Sequence, residues 1–177
     1  MTKLENFLKS YGRYIVKEAR KILAKKDKNT TGNLSKSLRY KLVKDTDGFS
    51  IQFIANKYGK FVSKGVRGTK VTRTYIDKFG KRKRSPFRFK TGVGNAPNIG
   101  AIQTWINKRG IKGRDKLGRF IKSKSLAYLF SKSIQRKGIP AASYYTKPLS
   151  MTYKNFKQEL LENFKEDIIK EIKTVWV

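Results

Sequence analysis

The residues of this chain whose chemistry is clearest are its lysines and arginines. The sequence holds 43 Lys and Arg residues against 12 Asp and Glu residues, which gives a formal net charge of +31. Four of the basic residues are consecutive and a fifth follows closely: Lys81, Arg82, Lys83, Arg84 and Arg88. A field of this sign attracts polyanions, which include nucleic acid, anionic membranes and acidic protein surfaces. The composition therefore predicts a binding partner that carries negative charge.

The acidic residues are distributed unevenly along the chain. Between Gly48 and Gln158 only Asp77 and Asp115 are acidic. Asp115 lies within a second basic group, which consists of Lys112, Arg114, Lys116 and Arg119. The middle of the chain is therefore almost purely cationic, and the acids are concentrated towards its two ends.

The composition also bears on catalysis. Cysteine and histidine are absent, which removes disulfides, thiolate metal sites and the usual general base. A nuclease or phosphotransferase needs clustered carboxylates to hold a metal ion, whereas Asp77 and Asp115 are far apart in the sequence. Glu159, Glu162 and Glu166 have helical spacing, but the lysines nearby favour a salt-bridged outer face. The sequence therefore predicts a protein that is not an enzyme and uses no cofactor, and a metal-independent enzyme is the weakest of three hypotheses.

The hydrophobic pattern predicts the elements that position these residues. Apolar residues at helical spacing predict a first helix from about Lys3 to Lys25 and a last helix with a stripe over Phe156–Ile172. Alternating apolar residues predict a β-hairpin formed by Leu38–Val43 and Phe49–Ala55. Two shorter helices are predicted to end at Gly110 and Gly138.

The predicted fold class is α+β, with an antiparallel β-sheet packed by the N-terminal and C-terminal helices. Residues 1–177 are expected to form a single domain, with a basic β-hairpin arm inserted at about 69–98. The first helix is expected to bury four residues against the hairpin and the last helix: Phe7, Tyr11, Ile15 and Ile22. Phe164 is expected in the same core. No apolar run approaches the length of a membrane span, so no membrane partner is expected.

The inserted arm is predicted to be a long hairpin that turns at Asp77–Gly80. Four aromatic residues alternate with its basic residues: Tyr75, Phe79, Phe87 and Phe89. We interpret them as pairs across the hairpin in preference to platforms for single-stranded bases. The segment Asp115–Phe120 repeats the local chemistry of Asp77–Lys81, and it predicts a second basic turn.

Several segments, taken in order, resemble the small joining proteins of tailed-phage necks, the head–tail connector or tail-completion family. The first is T-G-N-L-S-K-S-L over Thr31–Leu38, between a helix and a basic strand. The second is Y-G-K-F-V-S-K-G-V-R-G-T over Tyr58–Thr69, in which Ser63 replaces the usual acid and extra residues precede the Gly-Thr. The others are I-Q-T-W-I-N-K-R-G-I, S-K-S-I-Q-R-K-G-I-P-A and Y-Y-T-K-P-L, over Ile102–Ile111, Ser131–Ala141 and Tyr144–Leu149. The ordered set covers nearly the whole chain except the basic arm.

The resemblance implies a structural virion protein, a subunit of a ring in the neck that joins the DNA-filled head to the tail. It implies a six- or twelve-fold homo-oligomer with other neck, portal or tail proteins as partners, made in the host cytoplasm and located in the virion. The alternative is a general nucleic-acid-binding protein that acts through its basic surface.

The charged residues are expected to divide between two kinds of partner. A channel must let DNA slide, and a dense Lys/Arg lining would hold phosphates too firmly. We therefore predict that acidic protein partners contact Lys81, Arg82, Lys83, Arg84 and Arg88. The better candidates to face DNA are Lys112, Arg114, Lys116 and Arg119. The apolar Trp176 is predicted to dock on an adjacent subunit, since closed rings use repeated heterologous contacts.

Overall fold

The computed structural model of the chain describes residues 2–27, 32–46, 48–92 and 94–175, and the side chains up to residue 170. Six helices lie in this described part: α1 (Lys3–Lys25), α2 (Asn33–Ser37), α3 (Gly59–Lys64), α4 (Ile99–Lys108), α5 (Ser123–Lys137) and α6 (Thr146–Val175). The strands are β1 (Arg39–Asp45), β2 (Gly48–Ile54), β3 (Val66–Arg67), β4 (Thr74–Ile76), β5 (Arg82–Arg84) and β6 (Gly138–Ile139). They pair as β1–β2, β3–β6 and β4–β5. The predicted α+β class is confirmed.

The chain divides into two compact units. The first comprises Met1–Ser63, Ile76–Lys83 and Ala142–Val177. The second comprises Lys64–Tyr75 and Arg84–Ala141.

In the first unit, α1 packs its apolar stripe against the β1–β2 hairpin. Ile15 is fully buried, as the sequence predicts, and Leu23 is buried beside Leu34 and Leu38. The hairpin is antiparallel with Tyr40 opposite Phe53, a register that places their side chains on one face. Because half of the helix surface is apolar, burying that half against the hairpin supplies most of the stability of α1.

The last helix packs on α1 in the same unit. The Phe156 ring lies 5.6 Å from Phe7 and 4.2 Å from Tyr11, centroid to centroid. Phe164, however, is 50% exposed. The prediction that Phe164 lies in the core is wrong, because α6 carries apolar residues around more of its circumference than α1 covers.

The second unit is built on α4 and α5. Ile102 and Ile106 of α4 pack against Leu126 and Ala127 of α5, and Trp105 meets the edge of Phe130 at 5.9 Å. The Asn98 side chain accepts a hydrogen bond from the backbone N–H of Ala101 and so caps α4. Both helices end before the predicted glycines, α4 at Lys108 and α5 at Lys137.

The inserted arm differs from the expectation in two respects. Within the described residues of 69–98 the strands are β4 and β5, of three residues each, so the long hairpin is not confirmed. Phe79 contacts Tyr153 of α6 at 6.1 Å, edge to face, instead of a partner across the hairpin. In each case a contact distant in sequence decides the local structure.

Candidate subunit-contact and nucleic-acid surfaces

The first basic group begins at a turn that Asp77 organises. Its Oδ1 accepts hydrogen bonds from the backbone N–H groups of Phe79 and Lys81, both at 2.9 Å. Its backbone N–H donates to the Lys81 carbonyl oxygen, also at 2.9 Å. The turn thereby fixes the direction in which the chain enters the basic strand β5.

A lysine of β5, Lys83, balances the negative charge of Asp77. Burial alone would raise the pKa of Asp77, but the Lys83 ammonium and the backbone N–H groups of Lys81 and Phe79 hold it below its ordinary value. The Lys83 Nζ lies 3.1 Å from Asp77 Oδ2. Lys83 is therefore tied to its own chain, although it is exposed like Lys81, Arg82 and Arg84.

The second basic group forms a turn with the same hydrogen bonds. Asp115 Oδ1 accepts from the backbone N–H groups of Leu117 and Arg119, both at 2.9 Å. The Arg119 Nε donates to Asp115 Oδ2 at 2.9 Å. These bonds, led by the Arg119 backbone N–H, lower the pKa of Asp115. The glycines at the fourth position, Gly80 and Gly118, have φ of 81° and 80°, a conformation that favours glycine.

The predicted DNA-facing residues lie together in this second turn. The Arg114 guanidinium stacks 4.1 Å from the centroid of the Phe120 ring, and the Lys112 Nζ lies 5.9 Å from it. Phe120 itself is 61% exposed. Lys116 is exposed in the same turn. An exposed ring flanked by cations matches the chemistry of proteins that contact nucleic acid through stacking and charge.

Arg88, the last residue of the first basic group, belongs to the second unit. The backbone of Arg67 accepts from the Phe89 N–H at 2.9 Å and donates to the Phe87 carbonyl at 2.8 Å, so Arg88 is held between two hydrogen bonds. Its side chain is exposed. Trp176, the remaining predicted contact residue, lies outside the described residues.

The second unit concentrates positive charge. Its sequence contains eighteen Lys or Arg residues and a single acid, Asp115. Since Arg119 already pairs with that acid, the field of this unit is that of a nearly pure cation.

An apolar groove in the first unit is a feature that the sequence did not predict. It has a volume of about 740 Å³. Its lining comes from α1, β2, the Asp77 turn and α6, and includes Leu4, Leu8, Phe49, Ile51, Leu160 and Phe164. One feature of the sequence could have indicated this groove: the apolar residues of α6 cover more of the helix surface than a single stripe.

Two lysines lie at the aromatic residues of this groove. Lys78 lies in its lining, and its Nζ is 5.0 Å from the Phe79 ring. The Lys44 Nζ lies 5.7 Å from the ring of Phe49, another lining residue. Glu5 on α1 is paired with Lys9 at 2.7 Å and also interacts electrostatically with Lys44. The groove is therefore apolar, and the charged residue in its lining is Lys78.

Comparison with known proteins finds no match: no protein-family model, no curated protein and no solved structure matches this chain. Within the described residues, no three Asp or Glu side chains come together as metal ligands. None of the helices in the described part is long and apolar enough to cross a membrane.

Proposed function

We propose that this protein is a structural subunit of a ring in the neck of a tailed phage, where it joins the head to the tail. The observation that carries the proposal is that segments resembling the neck family meet in one core. Leu34 of the first segment, Val62 of the second and Tyr144 of the last pack in the same hydrophobic cluster. Two proteins that share a fold are expected to resemble each other in the residues that specify the core, and the resembling segments of this chain supply such residues.

The close fit of this core supports the same reading. A Cβ added at Gly59 would lie 2.5 Å from the Tyr144 hydroxyl and 3.1 Å from Leu34 Cδ1. The Tyr145 hydroxyl donates to the Ile54 carbonyl oxygen at 3.0 Å. Burial raises the pKa of both Tyr144 and Tyr145 to about 12.

Assembly is further supported by exposed apolar surface in the first unit. Four large apolar residues of α6 are 40–51% exposed: Leu161, Phe164, Ile168 and Ile169. A contiguous apolar surface on a water-soluble chain is typical of a protein that associates. A ring subunit would cover this surface with its neighbours.

The test is the state of the purified, nucleic-acid-free protein. Light scattering and negative-stain imaging should show one large, discrete, ring-shaped oligomer. A monomer or dimer at all concentrations would contradict the proposal.

The division of roles between the basic groups can be tested separately. Arg82→Glu with Arg84→Glu should abolish assembly with the neighbouring neck proteins and leave DNA retention by the isolated protein largely intact. The matched control is Lys112→Glu with Lys116→Glu, which should weaken DNA retention and spare assembly. The opposite pair of results would make β5 the DNA contact.

A second candidate function, general nucleic-acid binding, is favoured by the charge of the second unit and the exposed Phe120. It predicts a monomer or dimer whose affinity for DNA falls steeply as salt rises, because bound phosphates release counterions. The logarithm of the affinity should then fall linearly with the logarithm of the salt concentration, and Phe120→Ala should lower the affinity for single strands.

A further inference from the structure

We infer that the apolar groove of the first unit receives α6 of a second copy of this chain, in a head-to-tail contact. The inference rests on the proposed function, because it names the surface by which one ring subunit would hold the next. Two features of the described residues select this occupant: the charge at the groove, and the position of the complementary surface on α6.

The groove requires a segment that is apolar and acidic. Its lining is formed by aromatic and aliphatic side chains, and Lys44 and Lys78 lie on its aromatic rings. A basic segment would bring like charges together, which disfavours binding. Burying apolar side chains in the groove would stabilise the contact in proportion to the area removed from water.

The distal half of α6 matches this requirement. Between residues 158 and 169 the sequence has four acids and one lysine, in a chain that is otherwise strongly basic. Glu166 and Asp167 are engaged with Lys3 and Leu4 of their own chain, so Glu159 and Glu162 are the exposed acids offered to a neighbour. Ile168 is 40% and Ile169 is 51% exposed in the same stretch.

Three other exposed apolar residues of the described part lie beside cations. Leu117 and Phe120, exposed by 76% and 61%, belong to the second basic turn. Tyr128, 49% exposed, has the Lys132 ammonium 5.7 Å from its ring. Charge complementarity therefore selects α6 over these surfaces.

The position of these residues on α6 makes the contact head-to-tail. At about 100° per residue, Glu162 and Ile169 project close to one direction, while Leu160 of the groove projects to the opposite side. The face of α6 around Leu160 therefore lines the groove of its own subunit. The opposite face carries Glu162 and Ile169, the residues that would enter the groove of a neighbour. A contact between two different surfaces is heterologous, and it forms a ring where the rotation between successive copies closes.

Because the chain has no cysteine, disulfide trapping can test this contact without background. Phe79→Cys places a thiol at the groove, because Phe79 lines the groove and is 57% exposed. Ile169→Cys places a second thiol on the face of α6 that would enter the groove of a neighbour. The two single variants, mixed and oxidised, should form a covalent 79–169 dimer. A chain carrying both changes should give a ladder of covalent oligomers. Leu129→Cys, 53% exposed in the second unit, is the control that should not cross-link to Phe79→Cys.

Charge exchange provides an independent measurement. Lys78→Glu and Glu162→Lys should each weaken self-association about tenfold, and the two changes combined in one chain should restore it. Circular dichroism of each variant checks that the helices are retained. Without recovery in the double variant, Lys78 and Glu162 do not face each other.

The outcomes separate the two proposals. Rings that form without the 79–169 cross-link would overturn the groove contact and leave the neck function standing. Cross-links that join two copies of residue 79, or two copies of residue 169, would replace the head-to-tail contact by a two-fold one. A chain that stays monomeric and gives no cross-link would overturn both.

Discussion

At the scale of single residues, Gly12 determines how closely α1 approaches the β1–β2 hairpin. A Cβ at this position would lie 2.5 Å from Tyr40 Cδ2 and 2.7 Å from Cε2, well inside van der Waals contact. The Tyr40 ring is held in turn by the strand pair. A helical glycine, which is normally unfavourable, is therefore tolerated here because it allows the packing.

We predict that Gly12→Ala destabilises the protein by about 1–3 kcal/mol, because the gain in helix propensity is smaller than the cost of overpacking. Chemical denaturation measures the change. In a Tyr40→Ala background the same substitution should cost less, since the clashing ring is gone. Equal costs in both backgrounds would show that Tyr40 is not the obstacle.

The aspartates of the two turns link stability to pH. Asp77 and Asp115 both have a folded-state pKa below the ordinary value of 3.8. A depressed pKa contributes stability that is present above the ordinary value and is lost as pH falls through the lower, folded-state value. Acid should therefore weaken the turns that carry both basic groups.

We predict that the thermal midpoint of Asp115→Asn decreases less than that of the wild type as the pH falls below about 4. The reason is that asparagine retains an acceptor oxygen but does not titrate in this range. Calorimetry between about pH 2 and pH 6 compares the variant with the wild type. An identical acid profile for the two proteins would mean that Asp115 does not contribute.

At the scale of elements, α6 adds to the cap of α1, whose N-cap residue Thr2 accepts a hydrogen bond from the Glu5 N–H at 3.1 Å. The two Asp167 oxygens accept hydrogen bonds from the backbone N–H groups of Lys3 and Leu4, each at 2.9 Å. A carboxylate at the start of a helix satisfies unpaired N–H groups and interacts favourably with the helix dipole. These hydrogen bonds lower the pKa of Asp167, and the bond from the Leu4 N–H has the largest effect.

We predict that Asp167→Ala lowers the thermal midpoint and increases amide exchange at Lys3 and Leu4. Glu159→Ala, which changes an exposed acid on the same helix, is the control and should leave that exchange unchanged. Equal exchange in both variants would argue against the cap.

The two apolar stripes of the first unit differ in how much stability they contribute. Ile15→Ala should cost about 2–5 kcal/mol, because Ile15 is fully buried. Phe164→Ala should cost only about 1 kcal/mol in the monomer, because half of the ring is exposed. Denaturation at low protein concentration measures both, so that association does not contribute. Equal losses would place Phe164 in the core after all.

At the scale of the whole molecule, the net charge of +31 repels itself. Five ion pairs within the described residues offset a small part of it, and four of them include a side chain more than half exposed. Anions must supply the remaining balance, whether they come from salt, nucleic acid or protein partners.

We predict that raising the NaCl concentration from about 0.02 to 0.5 M raises the thermal midpoint, because screening reduces the repulsion. A comparison at equal ionic strength with sodium phosphate separates screening from bound anions. A midpoint that falls with salt would contradict the view that repulsion limits stability.

The sequence by itself determined the elements that depend on local signals. The bounds of α1, the β1–β2 hairpin and the ends of α4 and α5 follow from hydrophobic period and from glycines, since Gly110 and Gly138 have φ of 62° and 74°. The two aspartate turns are equally local, because each forms within five residues. The residues of each basic group are neighbours in the sequence, and their division between protein and DNA partners stays a prediction.

Only the tertiary structure decided which apolar surfaces are covered. The groove is lined by segments that are far apart in the sequence. They contribute Leu4 and Leu8 from α1, Phe49 and Ile51 from β2, Phe79 from the Asp77 turn, and the face of α6 around Leu160. Periodicity marks a residue as apolar but does not say which neighbour covers it, and α6 has more apolar faces than its own unit can bury. Phe164 and Ile169 are left exposed for that reason, and the same excess of apolar surface leads to the proposed contact with a second copy.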